Sequence, residues 1–356
     1  MEKEMVDFKE HYDKGKKCYD DGDLDNALFH YNEAIKLDPK DSRVWHNRGL
    51  LWIEKGEHEK AIADLDEAIR LDPNISIAWQ VRGSTYDEMG QYDKAIADLD
   101  EAIRLDPNET RAWNSRGFVF FNKEEWAKAI SQFSESIRIK PNSWVLFFRG
   151  ASWDNLKEYD KAIADFDEAI RLGSDIMVYN KQELKSLIYF ERGFLWYKKK
   201  NYSKALADFD EAIRLNPNTK EHSIWGARAN IHFIGERYKQ AIADFDEAIR
   251  LDSDNSHCLL QRGVSLLMIG EYNKAIADFN RCIEINPKNT DFWLNRGGTW
   301  SIIGEYDKAI SDLNEVIRLD PDNKGAWENR HNSWLMKTNE NYRNANVQIC
   351  LNAKNS

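Results

Sequence analysis

Arginine stands at one place in a recurring text, as Arg48, Arg82, Arg116, Arg149, Arg192, Arg228, Arg262 and Arg296. Sixteen residues after each comes Asp64, Asp98, Gln132, Asp165, Asp208, Asp244, Asp278 or Asp312. A guanidinium facing a carboxylate makes a charge-assisted, two-pronged pair. Breaking one that is buried costs about 3–5 kcal/mol, whereas the pair itself adds little net stability. The first copy changes both members, to Lys14 and His30. The other acids sit in repeated text such as "ADFDEAIR". A carboxylate that moves protons occupies one special environment rather than many copies, so these read as a solvated helix face. His11, His30 and His46 are close in the sequence, but no ligand spacing recommends a metal. Cys18, Cys258, Cys282 and Cys350 are scattered, with no C-x-x-C pair. No phosphate-binding glycine loop, H-E-x-x-H or G-x-S-x-G is present. No catalytic residue, metal ligand or cofactor is expected, and the chain does not read as an enzyme.

The elements that carry these residues must therefore explain the sequence. Helix formers dominate, and only 7 Pro and 18 Gly occur in 356 residues, which points to an all-α chain. Net charge is −11, the opposite of the usual bias for binding a nucleic-acid duplex. No apolar run reaches membrane-spanning length, and "MEKEMVDFKEHYDKG" has no secretory apolar region. A soluble, reducing, cytoplasmic setting follows, with neither nucleic acid nor membrane as partner.

Anchored on Ala27, Ala61, Ala95, Ala129, Ala162, Ala205, Ala241, Ala275 and Ala309, the text repeats at intervals of 34, 34, 34, 33, 43, 36, 34 and 34. Each copy reads as two helices. In the third, Trp79, Gly83 and Tyr86 form one stripe at helical spacing and Gly90 ends the helix. Ala95, Leu99, Ala102 and Ile103 form the facing stripe, and Asp106-Pro107-Asn108 turns the chain. Gly83 and Ala95 carry so little side chain that the helices can close there; in the fifth copy, Gly150 should face Ala162. The arginine and its acid are equidistant from the turn, so they should lie at one level of the hairpin and hold its register.

Trp, Gly, Tyr, Ala, Leu or Phe, Ala and Pro in this order, every 34 residues, resemble the tetratricopeptide repeat (TPR) over about residues 8–323. Copies depart from the pattern at His11, Ser174, Ala229 and His232. The resemblance implies a solenoid of antiparallel helix pairs stacked into a right-handed superhelix. Its nine repeats are read as 8–41, 42–75, 76–109, 110–142, 143–185 with an insertion, 186–221, 222–255, 256–289 and 290–323. A capping helix follows at 324–337 and a frayed tail at 338–356, and the insertion at 173–187 reads as a lengthening of the sixth repeat's first helix.

The resemblance also implies that a partner's peptide or helix lies on the concave face, at positions 2, 5, 6, 9, 12 and 13 of the first helices. Those positions are mostly polar in repeats one to three. They then turn apolar: Phe118 and Phe121; Trp144, Phe147 and Phe148; Phe190, Phe194 and Tyr197; Phe233 and Ile234; Leu260, Val264, Leu267 and Met268; Leu294 and Ile302. Phe118, Phe121, Trp144, Phe147, Phe148, Phe190, Phe194, Tyr197, Leu260, Val264 and Leu267 are the expected partner-binding residues. An apolar band of that extent marks an interaction surface, is covered by the chain's tail or a second copy, or is packing between repeats. A protein or peptide partner is the reading taken, with self-association as the alternative. The Lys, Asn and Arg set by which some TPRs grip a chaperone's C-terminus is missing, and the asparagine ladder of sugar-transferase TPRs is incomplete, held only by Asn47, Asn295 and Asn329.

Overall fold

The computed structural model describes residues 2–173 and 181–339, with side chains from residue 7 onward and from 182 in the second stretch. Among them are nineteen helices and no strand. Helices pair in chain order: α1 (Glu2–Asp20) with α2 (Leu24–Leu37), α3 (Ser42–Glu54) with α4 (His58–Leu71), α5 (Ser76–Glu88) with α6 (Tyr92–Leu105), α7 (Thr110–Asn122) with α8 (Trp126–Ile139), and α9 (Ser143–Asn155) with α10 (Tyr159–Leu172). Then come α11 (Lys181–Lys198) and α12 (Tyr202–Leu215), followed by the pairs α13 (His222–Ile234) and α14 (Tyr238–Leu251), α15 (Ser256–Met268) and α16 (Tyr272–Ile285), and α17 (Thr290–Ile302) and α18 (Tyr306–Leu319). The capping helix is α19 (Lys324–Thr338), packed on α18. The chain divides into two compact parts, Met1–Arg192 and Gly193–Ser356. The tail from 340 and residues 174–180 of the insertion lie outside the described residues.

Local chemistry fixes the ends of these helices. Position 15 of every repeat has a left-handed backbone. Gly22, Gly56, Gly90, Gly270 and Gly304 supply it freely, while Glu124, Lys157, Lys200 and Glu236 adopt it at φ of 57–62°. At the other turn, Asp72 and Asp106 accept the backbone N–H two residues on, at 3.0 and 3.1 Å, before the next first helix starts.

The buried stripe differs from the expected one. Trp79 and Tyr86 are only half-buried, whereas Ala78 and Thr85, at positions 3 and 10, are fully buried. The same two positions are buried at Val44 and Leu51, Ala112 and Val119, Cys258 and Ser265, and Phe292 and Thr299. They lie seven residues apart, two turns on one face. In repeat 1 they are Glu10 and Lys17, both exposed. Buried hydroxyls at position 10 bond back to the carbonyl one turn earlier: Thr85 to Val81 at 2.9 Å, Ser152 to Phe148 at 2.8 Å and Ser265 to Gln261 at 2.7 Å.

At the close crossing the nearest atoms belong to position 24: a Cβ placed on Gly150 would stand 2.7 Å from the Phe166 ring, and one on Gly83 2.9 Å from Leu99 and 3.1 Å from the Ala95 carbonyl oxygen. Gly117 is tighter still against Phe133, at 2.4 Å. The glycine makes room for a buried ring, and the small alanine lies beside that contact.

Candidate partner-binding surface

The repeated arginine is the hinge-pin of each hairpin. Arg48, Arg82, Arg149, Arg228, Arg262 and Arg296 each donate Nε and Nη2 to both oxygens of the acid sixteen residues on, at 2.5–2.9 Å. Arg116 does the same to the single Oε1 of Gln132, at 3.0 and 2.6 Å. The six aspartates are buried. The third nitrogen, Nη1, reaches position 25 of the preceding repeat: Asn32 from Arg48, Asp66 from Arg82, Asp100 from Arg116, Asp246 from Arg262 and Asn280 from Arg296. One side chain thus ties its own two helices to the helix before. Burial opposes the charge of Arg82, but Asp98 and Asp66 outweigh it and raise its pKa. The guanidinium also lies on the position-4 indole, 4.8 Å from the Trp79 ring in repeat 3. That explains why the tryptophan stays half-exposed. The indole N–H in turn donates to the preceding proline carbonyl at 2.9 Å, as in Trp45 to Pro39 and Trp293 to Pro287. In repeat 7 the joint is two residues longer, and Trp225 Nε1 is left unpaired.

With that scaffold set, the first helices contact one another in sequence: α1 with α3, α3 with α5, and α5 with α7 in one part, and α13 with α15, α15 with α17, and α17 with α19 in the other. Positions 5, 6, 9, 12 and 13 project beside these contacts. In repeats one to four their polar groups pair across neighbours. Asn47 donates to Tyr12 at 3.1 Å, Gln80 to Ser115 at 3.0 Å, and Asn122 to Asp87 at 3.2 Å. Burial raises the Asp87 pKa, against the lowering effect of that last bond.

The aromatic band of the first part is largely a cluster of mutual edge-to-face contacts. Phe148 lies 4.8 Å from Phe118, 5.2 Å from Phe121 and 4.8 Å from Trp144, ring centre to ring centre. Phe118 also leans on the buried Phe133, and Phe121 on Trp126. Phe118, Phe121, Trp144 and Phe148 remain half-buried. Phe147 does not share that surface: it is 7% exposed and packs 5.8 Å from Phe166, inside the repeat. Phe190 is half-buried. In the second part, Phe194 packs on Phe209 at 5.2 Å and Tyr197 on Tyr202 at 5.9 Å, both half-buried. Leu260, Val264 and Leu267 are half-buried against Leu266, Ala275 and Phe279.

What stands open is position 13. It is polar in six repeats: Asp20, Glu54, Glu88, Asn122, Asn155 and Lys198. In the last three it becomes Ile234, Met268 and Ile302, exposed by 52%, 56% and 57%. These three lie in the band read from the sequence, but sequence alone gave no reason to separate them from neighbours that bury one another. Their mark is a change of residue type at one repeat position. On α19, Trp327 and Trp334 are 44% and 53% exposed.

Among the described residues, no helix is long and apolar enough to cross a membrane, and no group of three or more His, Cys, Asp or Glu is placed to hold a metal.

Comparison with known proteins agrees with this architecture. TPR family models match residues 15–52 and 83–124, 42–75 and 258–289, 65–97, 186–219, and 222–255 and 290–323. Among solved structures, the C-terminal part of a TPR repeat-containing protein from Cytophaga hutchinsonii is similar at a TM-score of 0.56 and 16% identity, over 70% of this chain and 98% of that one. YrrB, described as a TPR protein with an unusual peptide-binding site, is similar at 0.50 and 20%, over 55% and 96%. PilF of Pseudomonas aeruginosa is similar at 0.50 and 20%, over 61% and 94%. At these identities the likeness is one of fold. The matched segments, the helix pairing and the recurring side-chain contacts agree: the chain belongs to the tetratricopeptide repeat family.

Proposed function

We propose that this chain is a non-catalytic protein-binding module that takes a peptide or helical segment of a partner on the exposed face of its first helices. TPR proteins generally bind other proteins, and YrrB is described as having a peptide-binding site. The observation that carries the reading is the exposed series Ile234, Met268 and Ile302, apolar where six other repeats are polar. Isolated exposed apolar residues need no explanation, but a series at one repeat position does. The half-buried rings Phe118, Phe121, Trp144, Phe148 and Phe190 of the first part, and separately Phe194, Tyr197, Leu260, Val264 and Leu267 of the second, offer apolar surface for the same purpose. Phe147 supports them from inside. The buried, unpaired thiols of Cys258 and Cys282 suit a reducing cytoplasm, where we place its action. The experiment is capture of partners from native lysate by wild type and by Met268→Glu with Ile302→Glu. Loss of specific partners with an unchanged helical spectrum supports the reading, and unchanged capture removes it.

A second reading, a scaffold that self-associates, is favoured by the two open tryptophans of α19. Light scattering across concentrations separates the two, because a monomer at all concentrations disfavours self-assembly.

A further inference from the structure

The first repeat replaces both members of the repeated clamp, and what replaces them has geometry of its own. His11 stands at position 4, where other repeats carry an aromatic or leucine, and His30 at position 23, where they carry Asp or Gln. Their Nδ1 atoms lie 3.0 Å apart, and the rings are 5.1 Å centre to centre. Lys14, which holds the arginine's place, turns instead to Glu10 at 2.6 Å. No cation therefore bridges to position 23. Both imidazoles are half-buried, beside the exposed Glu10, Lys14 and Phe29, so the pair is open to small solutes.

We propose that His11 and His30 form a two-imidazole site for a divalent transition-metal ion such as zinc or nickel. With metal–nitrogen bonds of about 2.0–2.1 Å, two nitrogens on one ion stand about 2.9 Å apart at a right angle and about 3.3 Å apart at the tetrahedral angle. The observed 3.0 Å lies between, so the nitrogen spacing suits one ion, and rotation of the two rings about their side-chain bonds aims both lone pairs at it. Imidazole suits these ions. Glu10 and Glu33 each interact electrostatically with His11, each carboxylate being engaged first by its own lysine, Lys14 or Lys36, and Lys14 opposes part of this field at His30. The described residues supply two ligands and water completes the shell, so the site is an exchangeable one rather than a closed structural one. Without metal, one neutral imidazole donates its Nδ1–H to the other.

The test is calorimetric titration of zinc and nickel ions into the full chain carrying no polyhistidine tag. The expected result is one site per chain, weakened at least tenfold by His11→Asn or His30→Asn and unchanged by His46→Asn. Circular dichroism checks that each variant is folded. A second reading needs no variant: in the wild type, substoichiometric nickel should broaden the His11 and His30 imidazole resonances before those of the other histidines. Equal binding by wild type and by His11→Asn or His30→Asn, no binding, or earlier broadening elsewhere would each overturn the proposal and leave a plain imidazole–imidazole hydrogen bond.

Discussion

Asp165→Ala should damage the array more than the same change at Asp98, although the two aspartates occupy equivalent places. Arg149 binds Asp165 at 2.8 and 2.6 Å, and its remaining nitrogen reaches only the Ser134 hydroxyl at 3.1 Å. Leu146 stands where repeats two, three, four, seven and nine offer an indole, so no ring lies under this guanidinium at position 4. Arg82 binds Asp98 at 2.7 Å through two bonds, but it also holds Asp66 at 2.5 Å and stacks on Trp79. Truncating Asp165 therefore strands a charge with about a fifth of its side-chain surface open, 21%. The cost should lie near the low end of the range for a broken buried pair, about 3 kcal/mol. Truncating Asp98 leaves Arg82 neutralised by Asp66, at a cost of about 1–2 kcal/mol. Each repeat touches only its neighbours, so the loss should be local. Hydrogen exchange reads it directly: amides of α9 and α10 should lose more protection in Asp165→Ala than those of α5 and α6 lose in Asp98→Ala. Equal losses, or a greater loss from Asp98→Ala, would refute the view that the second carboxylate shares the charge.

Burial lowers the pKa of His46, and that of His232 despite the nearby Asp244 carboxylate. The folded chain then binds fewer protons than the unfolded one, so their contribution to stability is present above the ordinary histidine value near 6.5 and is lost as pH falls below it through the lower folded value; melting temperature against pH should flatten in that range in His46→Gln. Gly150→Ala puts a Cβ 2.7 Å from Phe166 and should cost about 1–3 kcal/mol of overpacking, less the helix gain of alanine. Gly298→Ala meets nothing within 4 Å and should gain about 0.5–1 kcal/mol by thermal melting. Burial pushes the Cys258 and Cys282 thiols up to about 11 and about 12, so iodoacetamide at neutral pH should modify the half-buried Cys18 well before either of them, and denaturant should abolish that difference.

The arginine clamp was legible because its two members keep a fixed spacing across a turn, which places them level in any antiparallel hairpin. Its third arm was not. Asp66 and Asp100 sit in text that reads as solvated surface, and they are half-exposed on the structure even while bonded. Positions 3 and 10 escaped for a different reason. They change from repeat to repeat, Val44 and Leu51 in one, Ala78 and Thr85 in the next, Phe292 and Thr299 in the last, so no single residue type marks them, and the small or hydroxylated ones carry no hydrophobic signal even when fully buried. The large position-4 tryptophans carried too much signal: their size suggested core, but they lie between a guanidinium and solvent. The apolar band was visible as a run of residue types. Phe147 shows why its exposure was not, since a ring one place from Phe148 turns inward to Phe166. Only contacts in three dimensions separate rings that bury one another from Met268 and Ile302, which stay more than half exposed.

Partners are proposed to dock on the first-helix face. A photo-cross-linking residue at position 268, compared with one at exposed Glu271 and one at Lys239 on the second helix of repeat 7, tests it most directly in native lysate. The account predicts discrete partner adducts from 268 that disappear when Ile234 and Ile302 are both changed to Glu, with few or none from 239. Adducts of equal yield from all three sites, or adducts from 239 alone, would contradict it.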